Sequence, residues 1–252
     1  KIIIIFKKEF FSFFKDPLLY VAISFYGFFL SYSFVRSLLG FEQKSLGQMD
    51  IQKGAFFHEV VLSQITMTHL LLLFMIPFLA VRLFSQDRLN GAIVVYFISP
   101  TPIYQLVLAK TMTAIVFVFL FLLFSMIYPL LCVFLVKVNL SLLFISYTGL
   151  FFVVSIYACM SLLMAILIES TLYAGFMSLL IIIVSLLYGD IVSTLEPGFI
   201  RDVFSQFSLS MHFQSMVHGA IYLSSLTYFI SGILFLFLLN IIFANISLWK
   251  SR

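Results

Sequence analysis

Four histidines, two cysteines and ten carboxylates are the residues of this 252-residue chain that could ligate a metal or act as acid, base or nucleophile. Their spacing supports little such chemistry. His58-Glu59 opens the zinc-protease pattern, but Val60, Val61 and Leu62 follow and the second histidine ligand is missing. His212 and His218 are six apart, so they do not share a helical face as i, i+4 ligands would. Asp87, Asp190 and Asp202 stand alone, whereas magnesium-diphosphate chemistry needs paired Asp-rich motifs. No Gly-x-Ser-Gly context offers an intramembrane serine nucleophile. No Gly-x-x-x-x-Gly-Lys-Ser/Thr loop occurs either, so the usual backbone cradle for ATP phosphates is missing from these residues. The expectation is a chain with no catalytic, cofactor-binding or metal-ligating residues and no enzymatic activity of its own. Cys132 and Cys159 fall inside apolar runs, where reduced, packed thiols are expected.

The elements that hold these residues are apolar to an unusual degree. Hydrophobic residues make up 63% of the chain and charged residues 10%, which excludes an ordinary water-soluble domain. Six long unalternated runs, near 18–39, 60–84, 109–136, 142–168, 172–189 and 226–249, each approach the roughly 20 residues that cross a bilayer as helix. Backbone groups in lipid must be satisfied internally, so such runs are helices. The sequence therefore predicts an all-α integral membrane protein, one transmembrane domain over 1–252 with six spans. With both termini in the cytoplasm, the inside segments carry nine cations and the outside loops five, which favours an N-in, C-in arrangement. The net charge of +4 is scattered at helix ends, so it reads as interfacial anchoring and no nucleic-acid partner is expected.

Residues 1–16 mix Lys7, Lys8 and Glu9 with Phe6, Phe10, Phe13 and Phe14 at helical spacing. This predicts an amphipathic helix in the cytoplasmic interface, turned into span one by Asp16-Pro17. The apolar start is too short, and too soon interrupted by lysines, for a cleavable signal peptide. The third helix can begin early, with Thr101 as N-cap and Pro102 in the first turn, and would then run to Val136. At about 1.5 Å per residue it reaches about 50 Å and must project into the cytoplasm. Pro129 removes a backbone donor within it and predicts a kink. Ser155, Cys159, Ser161, Ala165, Ala174, Gly175 and Ser178 permit close helix approach in spans four and five. His69 is expected to be neutral and hydrogen-bonded to Thr66 or a neighbouring helix, and Asn240 and Asn245 to bond between helices.

The most informative segment is the loop 85–101 after span two. It starts polar and then carries six consecutive apolar residues, Ile93 to Ile98, on the cytoplasmic side. Such a surface needs a cover, either the bilayer or a groove on a soluble partner. The order Asp87, Arg88, Gly91, the apolar run, Ser99, Pro100, then Ala109-Lys110 resembles permeases of the type-2 ATP-binding-cassette (ABC) exporter superfamily. The branch is that of gliding-motility and nitrous-oxide-reductase-maturation permeases, which usually has Glu and Gly-Thr where this chain has Asp87 and Gly91-Ala92. Ser208, His212, Phe213 and Gly219 match a second stretch, with Met216 where Phe is common, and Lys8-Glu9 with Pro17 is similar to the family's opening helix. The resemblance implies a half-transporter in the bacterial cytoplasmic membrane. Its coupling helix (Asp87, Arg88, Leu89, Gly91, Ile93, Val94, Phe97 and Pro100) would seat on a dimer of ATPase subunits that hold ATP and Mg. A second permease copy or a paralogue is also implied, with an extracytoplasmic accessory protein as an optional partner. Spans two and five would form the dimer face, with Gln64, Thr66, Thr68 and His69 lining the pore.

Outside the membrane, residues 190–220 predict short amphipathic helices. Ser193 and Glu196 have capping-box spacing, Pro197 follows, and Gly219 is placed to close the last turn. By the same resemblance, Glu196, His212, Phe213 and Gly219 belong to a gate over the exit path. Two other readings share the architecture and stay open: a haem-export-type permease of cytochrome maturation, and an ion-coupled carrier or channel. Against the latter stand the lack of an internal repeat and of acidic residues at the span centres.

Overall fold

A computed structural model describes residues 2–45, 56–89, 102–136, 140–194, 196 and 198–250. Side chains at 44, 45, 58, 86–89, 134–136, 200 and 247–250 lie outside that description. The described residues are helical throughout, without a strand: α1 (Ile2–Phe14), α2 (Pro17–Ser45), a π-helical turn (Phe57–Val61) leading into α3 (Leu62–Leu89), α4 (Ile103–Val136), α5 (Leu140–Leu167), α6 (Thr171–Thr194), α7 (Phe199–Gln206), α8 (Leu209–Val217) and α9 (Leu223–Lys250). Six of them, α2 to α6 and α9, are long and apolar enough to cross a membrane. The chain is in these terms a multi-pass membrane protein.

α5 is the hub. Two thirds (67%) of its most apolar window is buried, against 17% for α2 and 22% for α9. It touches α3, α4, α6, α8 and α9. Small side chains make that possible: Ser155, Ala158, Cys159, Ser161 and Ala165 are all buried, and both cysteines are free thiols. At Gly149 a Cβ would stand 2.8 Å from the Cβ of Met216, so a side chain there would push α8 off the hub. On α6, Gly175 admits the ring of Phe78 from α3 in the same way. Helices that meet without water gain mainly from such close packing. The outward faces of α2, α6 and α9 stay apolar and open, with Phe25, Phe28, Phe176, Leu180, Phe235 and Leu238 exposed.

α1 packs against α4 through a ring cluster. Phe10, Phe13 and Phe14 surround Phe117 at centroid separations of 5.4, 4.4 and 5.4 Å. The expected phenylalanine face is therefore met by a protein surface, and Glu9, placed by composition on the polar side, is buried as well. α4 starts at Ile103, with the Pro102 carbonyl accepting from the Gln105 N–H at 3.0 Å, one residue after the expected first helical position. It is 34 residues long, about 50 Å, and it contains Pro129; α3 also contains a proline, Pro77.

Two local expectations are corrected. Ser193 is not an N-cap: it lies inside α6, and its hydroxyl donates to the Asp190 carbonyl at 2.6 Å, so the next helix begins after Gly198. Asn245 is exposed on α9, whereas Asn240 is buried and its amide donates across to the Cys159 carbonyl at 3.2 Å. Gly219 does close α8. Its φ of 84° is open to glycine, its N–H reaches the Met216 carbonyl at 3.0 Å, and the next N–H, from Ala220, reaches Ser215 at 3.0 Å, the paired bonds of a Schellman cap.

Candidate functional site

Lys110 is the one charged residue of α4, eight positions into a helix that is otherwise apolar or weakly polar, and it is fully buried. An ammonium cannot sit there without partners. It donates to the Glu9 carboxylate of α1 at 3.2 Å and to the Leu83 carbonyl of α3, and it lies 5.0 Å from the Phe84 ring centroid. A second ion pair stands beside this junction. Arg82 of α3 bonds Asp16 at 2.9 Å, and Asp16 also accepts the Leu18 N–H at 3.1 Å, which caps the start of α2.

These contacts gather α1, the α1–α2 corner, the end of α3 and the start of α4 at one end of the bundle. Leu83 and Lys110 flank the 86–101 segment on its two sides, so the bond between them ties together the helices on which that segment is mounted. Among the described residues Lys110 faces Glu9 and Arg82 faces Asp16, so each of these two cations meets a carboxylate. Among the described residues no group of three or more histidine, cysteine, aspartate or glutamate side chains could hold a metal. The bonds of Lys110 join α1, α3 and α4 at this end of the bundle.

Of the expected coupling residues, Asp87, Arg88 and Leu89 fall in the last turn of α3 with side chains outside the description. Gly91, Ile93, Val94, Phe97 and Pro100 lie outside the described residues altogether. The four expected pore residues separate. Gln64 and Thr68 are buried within the chain, the amide of Gln64 donating to the Leu30 carbonyl at 3.3 Å and the Thr68 hydroxyl to the Gln64 carbonyl at 2.8 Å. His69 bonds the Tyr157 hydroxyl at 2.9 Å and packs on Phe213, centroids 4.7 Å apart, so its partner is a neighbouring helix rather than Thr66. Thr66 lines a recess of about 640 Å³ between α2 and α3, which Arg36, Ser37, Glu59 and Ser63 also line.

The gate residues divide similarly. His212 is buried, its Nε2 at 3.1 Å from the Gln206 carbonyl and its Nδ1 at 3.0 Å from the Ser225 hydroxyl. A carbonyl only accepts, so Nε2 carries a proton and donates to Gln206, and the Ser225 hydroxyl, able to donate or accept, partners Nδ1. With its ring stacked on Tyr228 at 4.5 Å, His212 holds α8 to α9, and Phe213 joins α8 to α3 through His69. Glu196 is exposed and apart from them.

Sequence reasoning missed Glu9, Asp16 and Arg82 as functional partners. The available signal was Lys110 itself, a cation well inside an apolar helix, which demands a counter-charge. No protein-family model and no curated protein matches the chain.

Proposed function

We propose that this chain is the membrane-spanning permease subunit of an ATP-binding-cassette exporter in a bacterial cytoplasmic membrane. ATP and Mg would bind on a separate ATPase dimer, and a second permease copy or a paralogue would complete the pore. Both termini are cytoplasmic in this reading, α1 lies in the inner interface, and the 85–101 segment carries the coupling helix. The observation that carries the proposal is the buried Glu9–Lys110–Leu83 junction. Three stretches that resemble the exporter permeases in sequence, Lys8-Glu9, the loop after span two and Ala109-Lys110, converge on it or flank it. A brace that joins the helices preceding and following the apolar stretch in sequence suits a segment that is pushed by a motor. The lack of a phosphate loop in these residues supports placing ATP hydrolysis elsewhere.

The first test is purification of the tagged full-length chain from its native membrane. Recovery of a stoichiometric subunit with a phosphate loop, whose ATPase activity rises when the complex is reconstituted, is the expected result. Transport by the chain without any nucleotide-hydrolysing subunit overturns the proposal.

A further inference from the structure

A second recess lies at the other side of α1, between α2 and α4. It has a volume of about 230 Å³, and its walls are Phe14, Leu19 and Ile23 on one side and Phe117, Leu120 and Phe124 on the other. All are apolar, and Leu120 and Phe124 are exposed, so the recess opens sideways from the bundle. From Phe117 to Phe124 it follows α4 for about 10 Å, a groove running along the helix axis. Its upper end is the α1–α2 corner, where Phe14 lines the wall and Lys15 is the next residue.

The charge at that corner is one-sided for a reason visible in the fold. Both carboxylates of the region, Glu9 and Asp16, point inward and are paired with Lys110 and Arg82. Lys7 and Lys15 of the same stretch are exposed, Lys7 lying 6.0 Å from the Phe11 ring centroid. With Glu9 and Asp16 turned to the interior, exposed lysines stand at the corner where Phe14, the neighbour of Lys15, forms the groove wall.

We propose that this groove is a binding site for an anionic phospholipid. One acyl chain lies along α4 between Phe14 and Phe124, and the phosphate headgroup is held at the rim by Lys15 and Lys7. Acyl chain and headgroup match the two halves of the site in the order in which a bilayer presents them. A cation near an anionic lipid surface contributes about fivefold in occupancy. The inference needs the spans to cross a bilayer but not the ATPase partner, so its failure leaves the export proposal standing.

The test is native mass spectrometry of the full chain after reconstitution in equal parts of phosphatidylglycerol and phosphatidylcholine. The expected result is one retained phosphatidylglycerol per chain. Lys15→Glu should reduce the preference for that headgroup by about fivefold or more. Leu120→Trp, which fills the groove from an exposed position, should abolish retention of both lipids, and Ile23→Phe serves the same purpose if that variant does not fold. Equal retention of the two headgroups, or retention unaffected by filling the groove, overturns the proposal. Efficient disulfide cross-linking of Leu120→Cys between chains in the membrane would also overturn it, since a second copy would then occupy the face.

Discussion

A lysine and a glutamate 101 positions apart in the chain meet where the lysine is fully buried and the glutamate nearly so. Desolvation of such a pair consumes most of the attraction between its members, so its contribution to stability is small, whereas its disruption is expensive. Lys110→Met would remove the ammonium that faces the buried Glu9 carboxylate and is expected to destabilise the chain by about 3–5 kcal/mol. The double variant Glu9→Met with Lys110→Met removes both charges and should recover most of that loss. Thermal unfolding of the detergent-solubilised chain checks both expectations, and a double variant no more stable than the single one would contradict them. Half of this site was legible in the sequence. An ammonium eight residues into α4 announces a buried counter-charge, but no pattern of spacing or periodicity in one sequence selects Glu9 over the other carboxylates.

At the level of elements the sequence was far more informative. A run of apolar residues long enough to cross lipid has few alternatives to helix, so all six spans lie where the composition puts them, with ends displaced by a few residues. Their packing was only partly legible. The small residues of α5 and α6 marked the crowded faces correctly, yet the identity of the intruding neighbour, Met216 against Gly149 or Phe78 against Gly175, depends on tertiary arrangement. The capping-box spacing of Ser193 and Glu196 misled because α6 continues through Thr194, and within a helix the serine hydroxyl turns back to its own backbone. The contact at Gly149 makes a prediction about elements. A valine there meets a Cβ on a short, capped helix that is also held by His212 and Phe213, so the strain has little room to relax. Gly149→Val should cost about 1–3 kcal/mol and loosen α8 from α5, read as a lowered unfolding temperature and faster backbone hydrogen exchange in 209–217. An unchanged exchange rate would mean that α8 is not seated by this glycine.

For the whole molecule, the open question is what meets the apolar faces of α2, α6 and α9. In a two-fold permease one such face is covered by a second chain and the others by lipid. If α3 and α6 form that face, Leu180→Cys on α6 should cross-link between chains in native membranes, while Phe235→Cys on α9 should not; both side chains are exposed in the single chain. Cross-linking at α9 alone would move the dimer face and displace the pore from the α3 side.

The segment proposed for coupling supplies the sharper test of function, because it separates folding from work. Leu83 and Lys110, which bond to each other, both lie outside it. A charge placed at Gly91 or Ile93, beyond the last turn of α3, should therefore leave the spans and the Glu9 junction intact. In the export reading that charge must be seated in the apolar contact with the ATPase, where an unpaired ion is costly to bury. Gly91→Glu or Ile93→Asp should then abolish the substrate-linked part of ATP hydrolysis in reconstituted vesicles, while the unfolding free energy stays within about 0.5 kcal/mol of the parent, the range of surface substitutions. If both variants hydrolyse ATP and transport as the parent does, the strip does not contact a motor, and the Glu9–Lys110 junction serves only to hold α1 against the bundle.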